Sequence, residues 1–347
     1  MKKIRISAGP GLSLLFVIFL AGCNGKKSES SSSGSAVTHQ EIKQDKLTEG
    51  ALLLKELAEN GDYVNSRDFP SLIKASIVYE ELDSNNLIID IRDGRSYSSG
   101  HIKGSVNVGF SSLPEYFESA IKPFEYDKII IVCDDGQLSS YTTSLLRLKG
   151  YGNVYSMRWG MGGWNKNYAM KSWLKGVSGR YEDRLETTVN EVPAQSALPE
   201  LNTGLSVGRE LLDARFRDIF SSGTDSILIS PEKVFNNPSE YFIINLERKD
   251  KYELGHIPGA IRYKPESTLG FADVMSTISA NKPVVIYCGT GHNSAFATAF
   301  LRLCGYDART LKYGNNSFMY DKMTKDKSLL SWLPFTLGES NDFPVVK

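Results

Sequence analysis

The sequence has few of the residues from which metal centres and disulfide frameworks are built. It contains four cysteines and four histidines among 347 residues. No two cysteines form a Cys-x-x-Cys pair, and no two histidines have the spacing of a metal-binding pair. We therefore predict no metal site and no structural disulfide.

An excess of one sign of charge is also missing, because 40 lysines and arginines balance 40 aspartates and glutamates. Three of the basic residues, Lys2, Lys3 and Arg5, lie at the start of a leader, and without them 37 basic residues face 40 acidic ones. A chain with this balance has no basic surface that would attract nucleic acid. We predict that it has no nucleic-acid partner.

A hydrophobic run long enough to span a bilayer is missing as well. The run from Leu12 to Leu20 has nine residues, interrupted only by Ser13, and after the basic start it has the form of a secretory signal. It ends in Leu20-Ala21-Gly22-Cys23, which resembles the lipobox of bacterial lipoproteins.

The lipobox resemblance implies that residues 1–22 are a lipoprotein signal peptide and that Cys23 is acylated. We expect an extracytoplasmic protein held by its lipid at the cell membrane or outer membrane, on the periplasmic side if the cell is Gram-negative. The alternative is an ordinary secreted protein with an incidental cysteine.

Composition divides the rest of the chain into two domains joined by polar segments. An amphipathic helix over 47–57 leads into the first domain, and we expect it to pack there. The predicted segments are a Ser-rich tether at 23–46, a first domain at 47–180, a linker at 181–204, a second domain at 205–335 and a tail without recognisable pattern at 336–347.

The two domains are copies of one unit. Cys133 and Cys288 each follow four apolar residues, and each precedes a turn with glycine three positions on. The same offset of 155 residues relates Asp90 to Asn245 and the Gly-His-Ile segment at 100–102 to its later copy. Alternating strands and helices predict an α/β fold for each copy, an open and mainly parallel sheet flanked by helices.

Each cysteine turn is a candidate anion cradle at the start of a helix. Glycine allows the backbone to fold back and point successive N–H groups at the sulfur, and the helix start adds positive potential. We therefore expect thiols that ionise more readily than a free cysteine. The candidate loop residues are Gly136, Gln137, Leu138 and Ser139 after Cys133, and Gly289, Thr290, Gly291, His292, Asn293 and Ser294 after Cys288.

Together these motifs resemble tandem rhodanese domains, over about residues 68–173 and 226–332. The stretch from Asp90 through Gly100-His101-Ile102 is similar to that family's amino-terminal signature, and Trp159-Gly160-Met161-Gly162-Gly163-Trp164 is similar to its glycine-rich closing segment. The resemblance implies a sulfurtransferase without cofactor. Its cysteine takes sulfane sulfur from thiosulfate, polysulfide or a similar donor as a persulfide and passes it to cyanide or a thiol.

Loop charge favours Cys288 over Cys133 as the persulfide site. Two carboxylates, Asp134 and Asp135, directly follow Cys133 and should raise its pKa and repel an anionic donor. The second loop is neutral apart from His292, which we expect to be partly cationic and able to assist binding or proton transfer.

Three functions remain open at this point. The first is a sulfurtransferase, in which one of the two domains could be inactive. The second is a non-catalytic sulfur carrier or partner-binding module. The third is a phosphatase or arsenate reductase on the same scaffold. The last is disfavoured because Ser139 and Ser294 occupy the position of the required arginine. We interpret His101 and His256 as structural histidines in turns and Cys304 as a core cysteine.

Overall fold

The computed structural model describes residues 47–264, 269–270, 272–328 and 332–347. The predicted signal peptide, the tether to residue 46 and the lipidation site Cys23 lie outside the described residues. Within the described part, no helix is both long enough and apolar enough to cross a bilayer.

The first repeat is a parallel five-stranded sheet in the order β1-β5-β4-β2-β3. Its central strand β4 is apolar throughout its buried part, because helices cover both faces of the sheet. The strands are β1 Leu72–Ile73, β2 Asn86–Asp90, β3 Val106–Asn107, β4 Lys128–Val132 and β5 Val154–Met157. A leading helix α1 Glu49–Glu59 is followed by α2 Ala75–Glu80, α3 Gly94–Ser99, α4 Leu113–Glu115, α5 Gln137–Lys149, α6 Met161–Trp164, α7 Lys166–Lys171 and α8 Trp173–Gly176.

The second repeat has the same topology, in the order β6-β10-β9-β7-β8, again all parallel. The predicted fold class, two open α/β sheets flanked by helices, is confirmed. The strands are β6 Leu228–Ile229, β7 Phe242–Asn245, β8 Ile261–Arg262, β9 Val284–Tyr287 and β10 Ala308–Leu311. The helices are α9 Gly208–Ser221, α10 Pro231–Asn236, α11 Lys249–Leu254, α12 Ala272–Met275, α13 His292–Leu303 and α14 Tyr320–Lys325.

The two repeats share one hydrophobic core across the contact between α5 and α13. These are the helices that begin at the two cysteine loops. Both helices bury several small residues, serine and threonine on α5 and alanine on α13, which favour a close approach. The Ser144 hydroxyl crosses the contact and donates to the Phe296 carbonyl at 2.9 Å.

The leading helix α1 does not pack mainly on the first repeat, as we expected, but on α9, which introduces the second. Glycine at 208 allows the contact, since a Cβ there would lie 2.8 Å from the Glu56 Cβ. The Glu49 carboxylate also accepts the N–H groups of Thr203 and Gly204 at 2.9 and 2.7 Å. The apolar stripe of α1 therefore covers the junction between the repeats.

The segment after residue 332, for which the sequence shows no pattern, returns to the first repeat as a strap. Val346 forms an antiparallel bridge with His101, and the Trp164 indole donates to the Pro344 carbonyl at 2.9 Å. The Phe343 ring stacks on Tyr79 with centroids 4.1 Å apart. We call residues 335–346 the strap. Its contacts depend on aromatic partners far away in the chain, which local periodicity cannot reveal.

Replacing Phe343 with alanine should lower the free energy of unfolding by about 1–2 kcal/mol, because a half-buried ring and its stacking are lost. Urea unfolding would measure the change. Phe124→Ala is the matched control, since that ring is 72% exposed. Equal effects of the two substitutions would show that the strap does not stabilise the repeat.

Candidate active site

Cys133 lies at the carboxyl end of the central strand β4, where the chain turns into α5. Its sulfur accepts the backbone N–H of Gly136 at 3.2 Å and of Ser139 at 3.3 Å, and it lies 3.4 Å from the Ser139 hydroxyl. Gly136 has φ 87°, a left-handed conformation that favours glycine. The loop therefore points peptide dipoles at the sulfur.

Cys288 has the same geometry at the end of β9. The Gly291 N–H donates to its sulfur at 3.2 Å, with φ 82° at this glycine, and the Ser294 hydroxyl lies 3.7 Å away. Burial raises the pKa of the Cys288 thiol, and the backbone N–H groups of Ser294 and Thr290 oppose that rise in part. The duplicated loop is thus preserved as a backbone structure although its side chains differ.

One glycine from a following turn closes each loop. A Cβ at Gly160 would overlap the carbonyl oxygen of Cys133, and a Cβ at Gly314 would overlap that of Cys288. Both glycines have positive φ, 56° and 54°. The sequence at 313–316 looks degraded beside its earlier copy, yet the residue that closes the loop is retained.

The two loops are bonded to each other's repeats. The His292 ring lies with Nε2 3.1 Å from the Asp135 carbonyl of the first loop and Nδ1 2.9 Å from the Thr290 hydroxyl. In return, the Gln137 side-chain oxygen accepts the backbone N–H of Tyr313 at 3.0 Å. The residue four positions after each cysteine therefore serves the interface, and each loop lies against the partner repeat.

Comparison with protein families gives the origin of this duplicated cradle. The sequence profile described as "Rhodanese-like domain" matches residues 74–167 and 199–321, which together exceed half of the chain. The chain belongs to the rhodanese-like domain family. Both cysteine loops fall within the matched segments.

Curated relatives of this rhodanese-like chain align with parts of it. It is 37% identical over 94 residues to thiosulfate sulfurtransferase GlpE of Pseudoalteromonas translucida, an alignment that covers 26% of this chain and 86% of the relative. It is 30% identical over 127 residues to tRNA uridine(34) hydroxylase of Prochlorococcus marinus, covering 35% of this chain but only 38% of the relative.

Among solved structures, thiosulfate sulfurtransferase from Pseudomonas aeruginosa is similar at 17% identity and a TM-score of 0.28. That match covers 81% of this chain and 47% of the solved one.

Burial raises the pKa of both thiols, which is the opposite of our expectation. The pKa of Cys133 rises to about 12, chiefly through burial and then through the Asp135 carboxylate. The pKa of Cys288 is also raised, by burial and then by Glu247. The two residues are only 4% and 5% exposed, so loss of water outweighs the effect of the N–H groups on the pKa of each thiol.

The expectation of a partly cationic His292 is wrong. The ring is fully buried between the repeats, and burial lowers its pKa to about 3. A backbone carbonyl only accepts, so Nε2 carries the proton toward Asp135, and Nδ1 accepts from the Thr290 hydroxyl. His292 is therefore a neutral, buried group at the contact between the repeats.

The remaining candidates separate into loop and core positions. Leu138 packs at the hydrophobic core, Asn293 is half-buried, and Cys304 is buried, as interpreted from the sequence. Nδ1 of His101 and of His256 lies 3.0 and 2.8 Å from the carbonyl of the tyrosine four residues earlier, which confirms that both are structural.

Glu247 is the residue that sequence analysis undervalues. It occupies the position of Arg92, since both backbone N–H groups bond the side chain two residues earlier, at 2.9 and 3.0 Å. Arg92 forms a buried ion pair with Asp90 and lies 3.8 Å from Asp134. Glu247 instead bonds the backbone of Gly289 and accepts from the Asn315 amide at 3.2 Å. In the sequence, Glu247 could have been identified because it replaces Arg92 at the repeat offset of 155 residues.

Replacing His292 with glutamine should flatten the acid limb of the stability profile. The folded pKa is depressed below the unfolded value, so the native state binds fewer protons, and stability falls as pH drops below about 6.5 toward 3. The expected contribution is about 1.4 kcal/mol per pH unit within that window.

Urea unfolding at a series of pH values would measure the difference in slope between wild type and His292→Gln. His101→Gln serves as the matched histidine control. Identical slopes for wild type and His292→Gln would mean that His292 titrates normally in the folded chain.

Proposed function

We propose that this rhodanese-like protein is a membrane-anchored extracytoplasmic sulfurtransferase that carries sulfane sulfur as a cysteine persulfide. The single observation that carries the proposal is the N–H cradle around Cys288, with the Gly291 N–H 3.2 Å from the sulfur. The donor is thiosulfate, polysulfide or a similar compound, and the acceptor is a thiol or cyanide. The named activity of the thiosulfate sulfurtransferase relative supports this class.

The chemistry needs no group beyond the loop. The thiolate attacks the outer sulfur of the donor, the donor's S–S bond breaks, and sulfite or another leaving group departs with the bonding electrons. The terminal sulfur of the persulfide then carries the negative charge, which loop N–H groups stabilise. An acceptor thiolate or cyanide removes this sulfur and restores Cys288.

We propose Cys288 as the principal carrier. Cys133 lies 3.8 Å from an Asp135 carboxylate oxygen, and the exposed Asp134 adds a second carboxyl at the loop. Both would oppose the thiolate and an anionic persulfide. Cys288 has no carboxylate in its own loop, and Glu247 beside it is held largely neutral, since burial raises its pKa to about 8.

The test is the intact mass of the protein before and after exposure to thiosulfate or polysulfide. One added sulfur atom should appear in wild type and in Cys133→Ser, and it should be absent in Cys288→Ser. Cys304→Ser is the control for a buried cysteine outside the loops. Addition that follows Cys133 would contradict the charge argument, and no addition at all would contradict the sulfurtransferase proposal.

Burial of both sulfurs favours a second candidate, a sulfur carrier or partner-binding module without rapid turnover. A thiol that is 5% exposed and has a raised pKa reacts slowly unless binding opens the loop. Stoichiometric loading of Cys288 without release to cyanide or a thiol would favour this candidate over the enzyme.

The anchor is proposed from the sequence alone, at Cys23. Cys23→Ser should abolish incorporation of a labelled fatty acid and move the protein from the membrane fraction to the soluble fraction, because acyl chains supply the attachment. Cys304→Ser should leave both unchanged. A wild-type chain that incorporates no label would remove the anchor from the proposal.

A further inference from the structure

The residue that flanks the cysteine loop is basic in the first repeat, Arg92, and acidic in the second, Glu247. In the first repeat the Arg92 guanidinium faces the residue after the cysteine, with Nη1 3.8 Å from Asp134. In the second repeat the Glu247 carboxyl faces the residue after the cysteine, Gly289, and bonds its backbone. A Cβ on Gly289 would lie 3.3 Å from Glu247 Oε1, so the carboxyl lies against this part of the loop.

Two cations, Lys251 and Arg248, act on the Glu247 carboxyl, and each also has an acidic partner of its own. Lys251 forms an ion pair with Asp326 and donates to Ser328 at 2.8 Å, and Arg248 pairs with Asp250 at 2.8 Å. Burial and then the Glu247 carboxyl raise the pKa of the Cys288 thiol, so the ionisable group that faces this loop is an acid. The loop has no counterpart of Arg92 to hold an oxyanion.

The indole of Trp332 lies at the same place. The Trp332 Cδ1 atom would lie 3.9 Å from a Cβ placed on Gly289. The indole Nε1 is bonded to Cδ1, so the N–H lies on the same edge of the ring. The side chain is 5% exposed, and Nε1 has no hydrogen-bond partner among the residues that the structure describes. A buried N–H without an acceptor costs free energy, which a ligand at the loop would recover.

We propose that Glu247 and Trp332 are specificity residues of the Cys288 site, which select an organic persulfide of low charge and disfavour the dianion thiosulfate. This proposal rests on the proposed function, because it requires that Cys288 accept sulfane sulfur. The site offers a neutral carboxyl and an indole N–H, which suit a small organic group with a hydrogen-bond acceptor. Neither compensates two negative charges as a guanidinium would.

The transfer balances without an added oxidant or reductant. The Cys288 thiolate attacks the outer sulfur of R–S–SH, the donor's S–S bond breaks, and a bond forms between Sγ and that sulfur. The leaving R–S⁻ takes up the proton that the Cys288 thiol released. The products are the Cys288 persulfide and the thiol R–SH.

The experiment compares loading of Cys288 from cysteine persulfide and from thiosulfate, by intact mass, in the full chain carrying Cys133→Ser. The expected rate at equal concentration is about tenfold higher from cysteine persulfide. Glu247→Arg should shift this ratio toward thiosulfate by about tenfold, since it places a cation where Arg92 stands in the other repeat. Glu253→Arg is the matched control, because it places the same guanidinium at an exposed position of the second repeat.

Trp332→Phe keeps an aromatic ring but removes the N–H. It should raise the half-saturating concentration of cysteine persulfide about fivefold, the effect of one neutral hydrogen bond. If Glu247→Arg does not fold, Glu247→Gln is measured at pH 7 and pH 9. Because only the carboxyl ionises, the glutamine variant should favour thiosulfate relative to wild type at pH 9 and not at pH 7.

The outcomes separate the two proposals. Equal loading from both donors, or a donor ratio unchanged by Glu247→Arg or by Glu247→Gln at pH 9, would overturn the specificity proposal alone. Failure of Cys288 to load from any donor would overturn the proposed function together with it. A ratio that Glu253→Arg shifts as much as Glu247→Arg would also reject the assignment, because the effect would then be one of net charge.

Discussion

The structure depends on the contact between the two helices that begin at the cysteine loops. Small residues on α5 and α13 allow the helices to pack closely and join both sheets in one core. The loops at their starts therefore meet the opposite repeat, where His292 bonds the Asp135 carbonyl and Gln137 bonds Tyr313. Hydrogen bonds to the opposite repeat stabilise each loop, so the two repeats form one structural unit.

This contact also explains why sulfur and histidine chemistry differ from what the isolated motifs indicate. A loop at the open edge of a single domain would keep water near its thiol, and the helix start would then favour the thiolate. Burial in the folded chain removes that water, so the pKa of Cys288 rises and His292 stays neutral. Desolvation depends on the whole fold, so it cannot be predicted from the seven residues of a cysteine loop alone.

Local backbone chemistry determines the features that could be predicted from the sequence. The apolar strands, the glycine three positions after each cysteine and the constant offset of 155 gave the fold, the duplication and the N–H cradle. Such patterns are insufficient where contacts join distant segments. The packing of α1 on α9, the strap through Phe343 and the approach of Trp332 to Gly289 connect parts of the chain with no shared periodicity.

The strap has a consequence for the order in which the chain matures. Trp164 donates to the carbonyl of Pro344, 180 residues further along. During synthesis the first repeat leaves the ribosome well before Pro344 has been added to the chain. The Trp164 indole therefore lacks its contact with the strap while the second repeat is made. The repeat that is translated first is thus the one whose contacts are completed last.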